Sequence, residues 1–337
     1  MRKKAISIVC VSILVLLIGC SKDSKPASSD AGNSKGTYPL TGEKAKSGAN
    51  KRIKAIMVNN HTQARPQSGL SQADIVFEIL AEGDITRFLA MYQSEEPDEV
   101  GPVRSAREYY FNLADDYDAV YVYHGAAKFV NKMINDENIE YINGAQHDND
   151  GTLFKRSTDR KAPHNSYVQF GALENEMKEA GYDTETDYDP LPFKDKNADV
   201  EGDEATNIQV SYSANSDAYN PTYSYQEDKN VYTRSAGGEQ TVEKSDSTPI
   251  EVSNLFVIEA PHEVFDDEGR RKIDLDNGGD AYLFQGGKQK KVQWEKKDGQ
   301  IIPVEDGEPV GFLPGKTWVN VVPENPGLSQ AVEVFNE

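Results

Sequence analysis

Asp74-Ile75-Val76-Phe77-Glu78-Ile79-Leu80 is an almost unbroken apolar run, and Thr86-Arg87-Phe88-Leu89-Ala90-Met91-Tyr92 follows it across the turn Ala81-Glu82-Gly83-Asp84. Two such runs joined by a short Gly-containing turn predict a pair of antiparallel strands. Ile53–Val58 upstream and Ala119–His124 downstream read as further strands. Between them Ser105-x-x-Glu108 forms a capping box, and Ala106, Tyr109, Tyr110, Leu113 and Tyr117 recur at helical spacing, which predicts a helix from Ser105. Ala126–Ile134 predicts a second helix. Ser166-x-x-Gln169 predicts the start of a third, with Phe170, Leu173, Met177 and Ala180 on one face and Gly181 at its end. Strands interleaved with helices predict a mixed α/β layer domain over residues 51–182.

Outward from this region the composition changes. Residues 183–204 are acidic and broken by Pro190 and Pro192, which suggests an inter-domain linker. Residues 205–337 contain seven strand-like runs, from Asn207–Tyr212 to Thr317–Val322, separated by Asn, Gly, Asp and Pro turns. Short strands at this spacing predict a β-sandwich or barrel. The expected fold class is therefore α+β, an N-terminal α/β domain followed by a mostly β domain.

The first twenty residues carry an address. Arg2, Lys3 and Lys4 precede the apolar stretch Ala5–Ile18, which is too short to span a bilayer and has the form of a secretory signal. It closes on Leu17-Ile18-Gly19-Cys20, which resembles a bacterial lipobox. That resemblance implies a signal peptide over 1–19, cleavage before Cys20 and a diacylglycerol on the Cys20 sulfur, placing the body on the outer face of the cell membrane. Cys10 would leave with the signal, so no disulfide is expected. Residues 20–50 are polar and low in aromatics, which predicts a tether with a reach of about 30 Å.

Lys and Arg number 36 against 56 Asp and Glu, a formal charge of −20. So acidic a chain repels phosphate backbones, which argues against nucleic acid as a partner. Arginine is nonetheless concentrated: seven of eleven lie between Arg52 and Arg160, whereas from residue 165 onward there are three arginines and twelve lysines. Arginine suits bidentate recognition of carboxylate or phosphate. Arg104 and Arg107, at the start of the expected Ser105 helix, sit where the helix dipole disfavours cations, so an anion is expected nearby. It could be a ligand, or a protein carboxylate such as Glu78 or Glu82. Glu78 interrupts a run that should be buried, and a close pair of carboxylates is also the apparatus of glycoside hydrolysis. His124 ends a strand before Gly125, where α/β domains place ligand contacts, and His164 follows Arg160-Lys161-Ala162-Pro163.

No His-Glu-x-x-His or Gly-x-Ser-x-Gly occurs. Gly311-Phe312-Leu313-Pro314-Gly315-Lys316-Thr317 has three residues between its glycines where a phosphate loop has four, and no calcium loop is complete. No metal or cofactor is expected. Ala64–Leu70, Glu82–Arg87, Gly101–Arg107, Ala162–Asn165 and Pro314–Trp318 together resemble the YerB-like lipoproteins of Gram-positive bacteria, over roughly residues 50 to 325. Asp84 departs from that pattern, which favours a second glycine there. The resemblance implies two domains on a lipid anchor and supplies no activity. Three functions stand open. The first is binding of an anionic envelope ligand, such as a peptidoglycan fragment or teichoic-acid-like polymer, by Arg87, Arg104, Arg107, His124, Arg160 and His164. The second is a cell-wall glycan hydrolase using Glu78 or Glu82, assisted by His124. The third is a protein-binding scaffold for envelope machinery.

Overall fold

Period-two alternation organises the centre of the molecule. In a computed structural model describing residues 36–336, β1 (Lys54–Asn59), β2 (Ile75–Leu80) and β3 (Thr86–Tyr92) lie side by side, β1 and β2 each antiparallel to β3. Ala55, Met57, Phe77, Ile79, Leu89 and Met91 enter one apolar cluster; Ile56, Val58, Val76, Leu80, Phe88 and Ala90 enter another on the opposite face. Strands buried on both faces read as continuous apolar runs, which is why these were visible in the sequence.

A two-residue strand, β4 (Glu99–Val100), leads toward α1 (Glu108–Asp116). Then come β5 (Val120–Tyr123), α2 (Lys128–Asp136) and β6 (Tyr141–Asn143), with β5 parallel to β1 and β6 parallel to β5. Tyr110, Phe111, Leu113 and Ala114 of α1, with Val130 and Ile134 of α2, cover the first face. β7 (Phe154–Arg156) and β8 (Ser166–Gln169) form a small sheet with β4, and α3 (Leu173–Ala180) closes the unit on Gly181 in the left-handed conformation.

The two capping-box expectations need correction. Helix α1 starts at Glu108, with Arg107 at its N-cap and no side-chain cap, because Ser105 is drawn into the sheet edge through its neighbours: Arg104 N–H donates to Met57 O and Ala106 N–H to Gly125 O. Ser166–Gln169 is strand β8, paired with β7, and the helix follows it. In both places tertiary pairing overrides a local signal.

The sandwich or barrel expectation also fails. Thr317–Pro323 lies parallel to β2 on one side and to Asn254–Ala260 on the other, so the C-terminal strands extend the central sheet to twelve strands. Six further C-terminal strands, among them Asn207–Val210, Pro221–Gln226 and Val231–Ala236, form a second sheet, and His262–Val264 pairs with Arg271–Ile273 in a two-stranded one. Ile208, Tyr223 and Tyr232 of the second sheet meet Ile56, Phe88 and Trp318 in the second cluster. The class is α+β, with a mixed sheet in the N-terminal part and a mostly β C-terminal part.

Two segments expected to be free are bound to the body. Tyr38, Leu40 and Thr41 are buried, and Gly315 N–H donates to Thr41 O, so within 36–50 the chain is packed rather than a tether. Residues 183–204 are largely exposed on their outer side but are tied to the body. Arg52 N–H donates to Thr184 O, Leu191 N–H to Pro39 O and Phe312 N–H to Pro192 O, and Leu191 is buried. Among the described residues no helix is long and apolar enough to cross a membrane. The signal, Cys20 and the rest of 1–35 lie outside the described residues.

Candidate functional site

The parallel strands β1 and β5 pair as far as Ile56 and Val122 and then part. Residues 101–106 fill the gap: Asn59 N–H donates to Pro102 O, Arg104 N–H to Met57 O and His124 N–H to Arg104 O, each at 2.9 Å. Gly101 permits this course, since a Cβ there would stand 2.8 Å from the Ser166 carbonyl oxygen. Arg104 is thus fixed between the C-terminal ends of two parallel strands, the crest where open α/β sheets bind ligands.

Arg104 is part-buried, its Nε has no hydrogen-bond partner, and loss of solvation with repulsion from Arg87 lowers its pKa to about 10. No carboxylate lies within salt-bridge distance of it among the described residues. The imidazoles of His61 and His164 stack at 4.5 Å, and both feel the Arg104 charge. Asn59 Nδ2 donates to His164 Nδ1 at 2.8 Å, an orientation supported by Asn59 Oδ1 accepting from His61 N–H. His61 Nδ1 accepts from Gln63 N–H at 3.1 Å. Both neutral rings therefore carry their proton on Nε2, as donors. Burial lowers the pKa of both, with Arg104 adding to the shift, together with Arg65 for His61 and Arg160 for His164.

His124 joins from the end of β5. Its Nδ1 lies 2.8 Å from Ser166 Oγ, and its pKa is lowered first by burial and then by Arg156. Ser166, His124 and Asp148 have the order of a nucleophilic triad, but Ser166 is 2% exposed and Asp148 is held bidentately by Arg156 at 2.7 and 3.0 Å. Arg160 donates to the carbonyls of Ala64 and Pro66 and to the Tyr167 hydroxyl, bracing the 64–66 segment without a carboxylate partner.

Four of the residues expected at the site are not available to a ligand. Glu78 is fully buried and saturated: Arg234 Nη2 donates to both carboxylate oxygens at 3.0 and 2.9 Å, and Trp318 Nε1, Thr86 Oγ1 and Asn60 Nδ2 complete its shell. Glu82 lies between Arg87, at 2.7 Å, and Arg107, which contacts its other oxygen. Arg87 also donates to Ser105 O and is 4% exposed. Glu78, Glu82, Arg87 and Arg107 are thus scaffold. Glu78 faces the second sheet while Glu82 sits in the β2–β3 turn, so they frame no common cleft. The structure brings together Arg104, His124, His164 and Arg160, and adds His61, Asn59 and Arg65. Sequence reasoning passed over these three, although Asn59-Asn60-His61 follows a buried strand just as His124 does.

Residues 40–183 match the N-terminal domain, and residues 208–319 the C-terminal domain, of DUF3048, a protein family of unknown function. The chain belongs to this family. A relative from Bacillus subtilis (strain 168), named "Putative lipoprotein YerB", is 41% identical over 314 residues, 93% of each chain. The crystal structure of the YerB protein from Bacillus subtilis superposes with a TM-score of 0.81 at 40% identity, covering 89% of this chain and 99% of that one. Arg104 lies in residues 101–107 and His164 in 162–165, both inside the matched N-terminal domain.

Proposed function

We propose that this DUF3048 protein is a lipoprotein anchored through Cys20 on the outer face of the cell membrane, and that it binds an anionic envelope ligand at Arg104, His61 and His164, with His124 at the margin. One observation carries the reading. In a chain of net charge −20, Arg65, Arg104 and Arg160 have no carboxylate partner among the described residues, and all three act on one stacked histidine pair. A surplus of carboxylates would quench these cations if internal pairing were their purpose, as it does for Arg52, Arg87, Arg107, Arg156 and Arg234. Two Nε2–H donors beside an unpaired guanidinium match the tetrahedral oxygens of a phosphate or the planar oxygens of a carboxylate. The C-terminal part, fused through the shared sheet, supports that surface. The lipoprotein name of the Bacillus relative and the lipobox-like Leu17–Cys20 support the anchor.

The test is calorimetric titration of the protein with inorganic phosphate and with muropeptide carboxylates. Arg104→Ala should weaken binding by roughly 1.5–3 kcal/mol, the loss of one charge-assisted hydrogen-bonding group. Unchanged affinity in that variant would remove the site.

A further inference from the structure

We infer that the ligand of this site is a linear molecule bearing at least two phosphate-type anions, the second held by Arg65 in a groove beside the histidine pair. The inference rests on the anion-binding reading of Arg104 and extends it. Arg65 Nε donates to Asn60 Oδ1 at 3.0 Å, while its Nη2 is buried and makes no hydrogen bond. Its guanidinium packs on the Tyr219 ring, 5.4 Å from the centroid. Burial first, then repulsion from Arg234, lowers its pKa to about 10, and the Glu78 charge that partly offsets this is already committed to Arg234. This is the condition of Arg104 repeated: a desolvated cation whose hydrogen-bonding capacity is unfilled.

Arg65 lines a groove of about 340 Å³ between the 62–67 segment and residues 236–242. The other polar side chains there are Thr62, Gln67, Gln240, Thr241 and the exposed Glu239, which forms no salt bridge with Arg65. Neutral amides and hydroxyls suit the uncharged spacer between two anions, and Glu239 at the rim disfavours a continuous run of charge. The path between the two positions is short. His61 and Arg65 bracket the 3-10 turn Thr62–Ala64, and a rise of about 2 Å per residue separates them by about 8 Å along the chain. Two anionic groups carried on one linear molecule, as in a phosphodiester polymer or a free oligophosphate, match two cations set apart in this way.

The experiment titrates the full-length protein with inorganic phosphate, a linear polyphosphate and a glycerol-phosphate polymer, in wild type, Arg65→Gln, Arg65→Lys and Arg104→Gln. Wild type should bind at least one long anion about tenfold or more tighter than phosphate. Arg65→Gln should abolish that gain while lowering phosphate affinity much less than Arg104→Gln does, and Arg65→Lys should retain part of the gain. Preference for one long anion names the source, free oligophosphate or polyol phosphodiester. A normal melting temperature for Arg65→Gln keeps a loss of binding from being read as misfolding. No gain with chain length, or an Arg65→Gln variant that binds long anions as wild type does, overturns the second subsite even if Arg104 still governs phosphate binding. Phosphate binding indifferent to Arg104→Gln removes the parent reading. Dependence of the long anions on Arg65 alone would then make the groove a separate site and overturn the bridging ligand.

Discussion

Arg104 and Arg107 stand three residues apart, and the structure gives them opposite work. Arg107 contacts Glu82 and caps nothing with its side chain, whereas Arg104 has no carboxylate partner among the described residues. Arg107→Ala leaves Glu82 with Arg87 alone and is expected to cost about 1–3 kcal/mol. Arg104→Ala removes an uncompensated, desolvated cation and should leave stability unchanged or raise it. Thermal melts of the two variants check this; equal losses would mean Arg104 is scaffold as well. The histidines add a pH dependence. His61, His124 and His164 have pKa values lowered in the folded state, so folding disfavours their protonation. Their contribution to stability is complete above about pH 6.5 and falls as pH drops through the lowered values. The groups facing them are Arg65, Arg104, Arg156 and Arg160, against the single carboxylate Asp148. A bound anion stabilises the imidazolium, so sulfate, whose own charge is constant in this range, should bind more tightly as pH falls from about 7.5 to about 5.5. Calorimetry across that range reads the sign directly.

At the scale of elements, strands were more legible than helix starts. Thr86–Tyr92 coincides with β3 because Phe88–Tyr92 is a continuous buried apolar run and the Gly83 turn sets its start. Ser105-x-x-Glu108 and Ser166-x-x-Gln169 have the local chemistry of caps, but at both places backbone hydrogen bonds to distant strands claimed the residues first. Residues 183–204 show the same competition. Their composition is that of a linker, yet Tyr188 donates its hydroxyl proton to Asp118 O and Leu191 is buried against the body. Limited proteolysis of the folded protein should therefore spare Asp187–Phe193. Early cleavage there, yielding two separately folded fragments, would contradict the packing described.

At the scale of the molecule, the buried pair Glu78–Arg234 joins residues 156 positions apart across the two sheets, with the Arg234 guanidinium 4.9 Å from the Trp318 ring centroid. Removing one partner strands a charge in the interior, so Glu78→Ala or Arg234→Ala should destabilise by about 3–5 kcal/mol, whereas Glu78→Leu with Arg234→Met should cost much less. Denaturant titration of the three variants measures the difference. Because Thr317–Pro323 is inserted between β2 and Asn254–Ala260, neither half of the sequence completes the central sheet alone. Scanning calorimetry is expected to show one cooperative transition for the body. Two transitions separable by mutation of Arg234 would show that the halves fold independently.

The sequence by itself determined most strands of the central sheet, though not Tyr141–Asn143 or Gln300–Glu305, together with the α+β class and the position of His124 at a strand end. Each of these depends on periodicity or on neighbours in the chain, and short-range signals survive in a one-dimensional record. It also narrowed the candidate site to a region rich in Arg and His. Which arginine was free and which was paired lay beyond it, because Glu78 is neutralised by Arg234 from the far sheet and Glu82 by Arg87 and Arg107 together. Charge pairing depends on distances of a few ångströms between residues far apart in sequence, and in a chain with more carboxylates than cations many pairings are chemically possible. Only the tertiary structure selects among them, and among the described residues it leaves Arg65, Arg104 and Arg160 without a carboxylate partner, their charges felt by two stacked histidines.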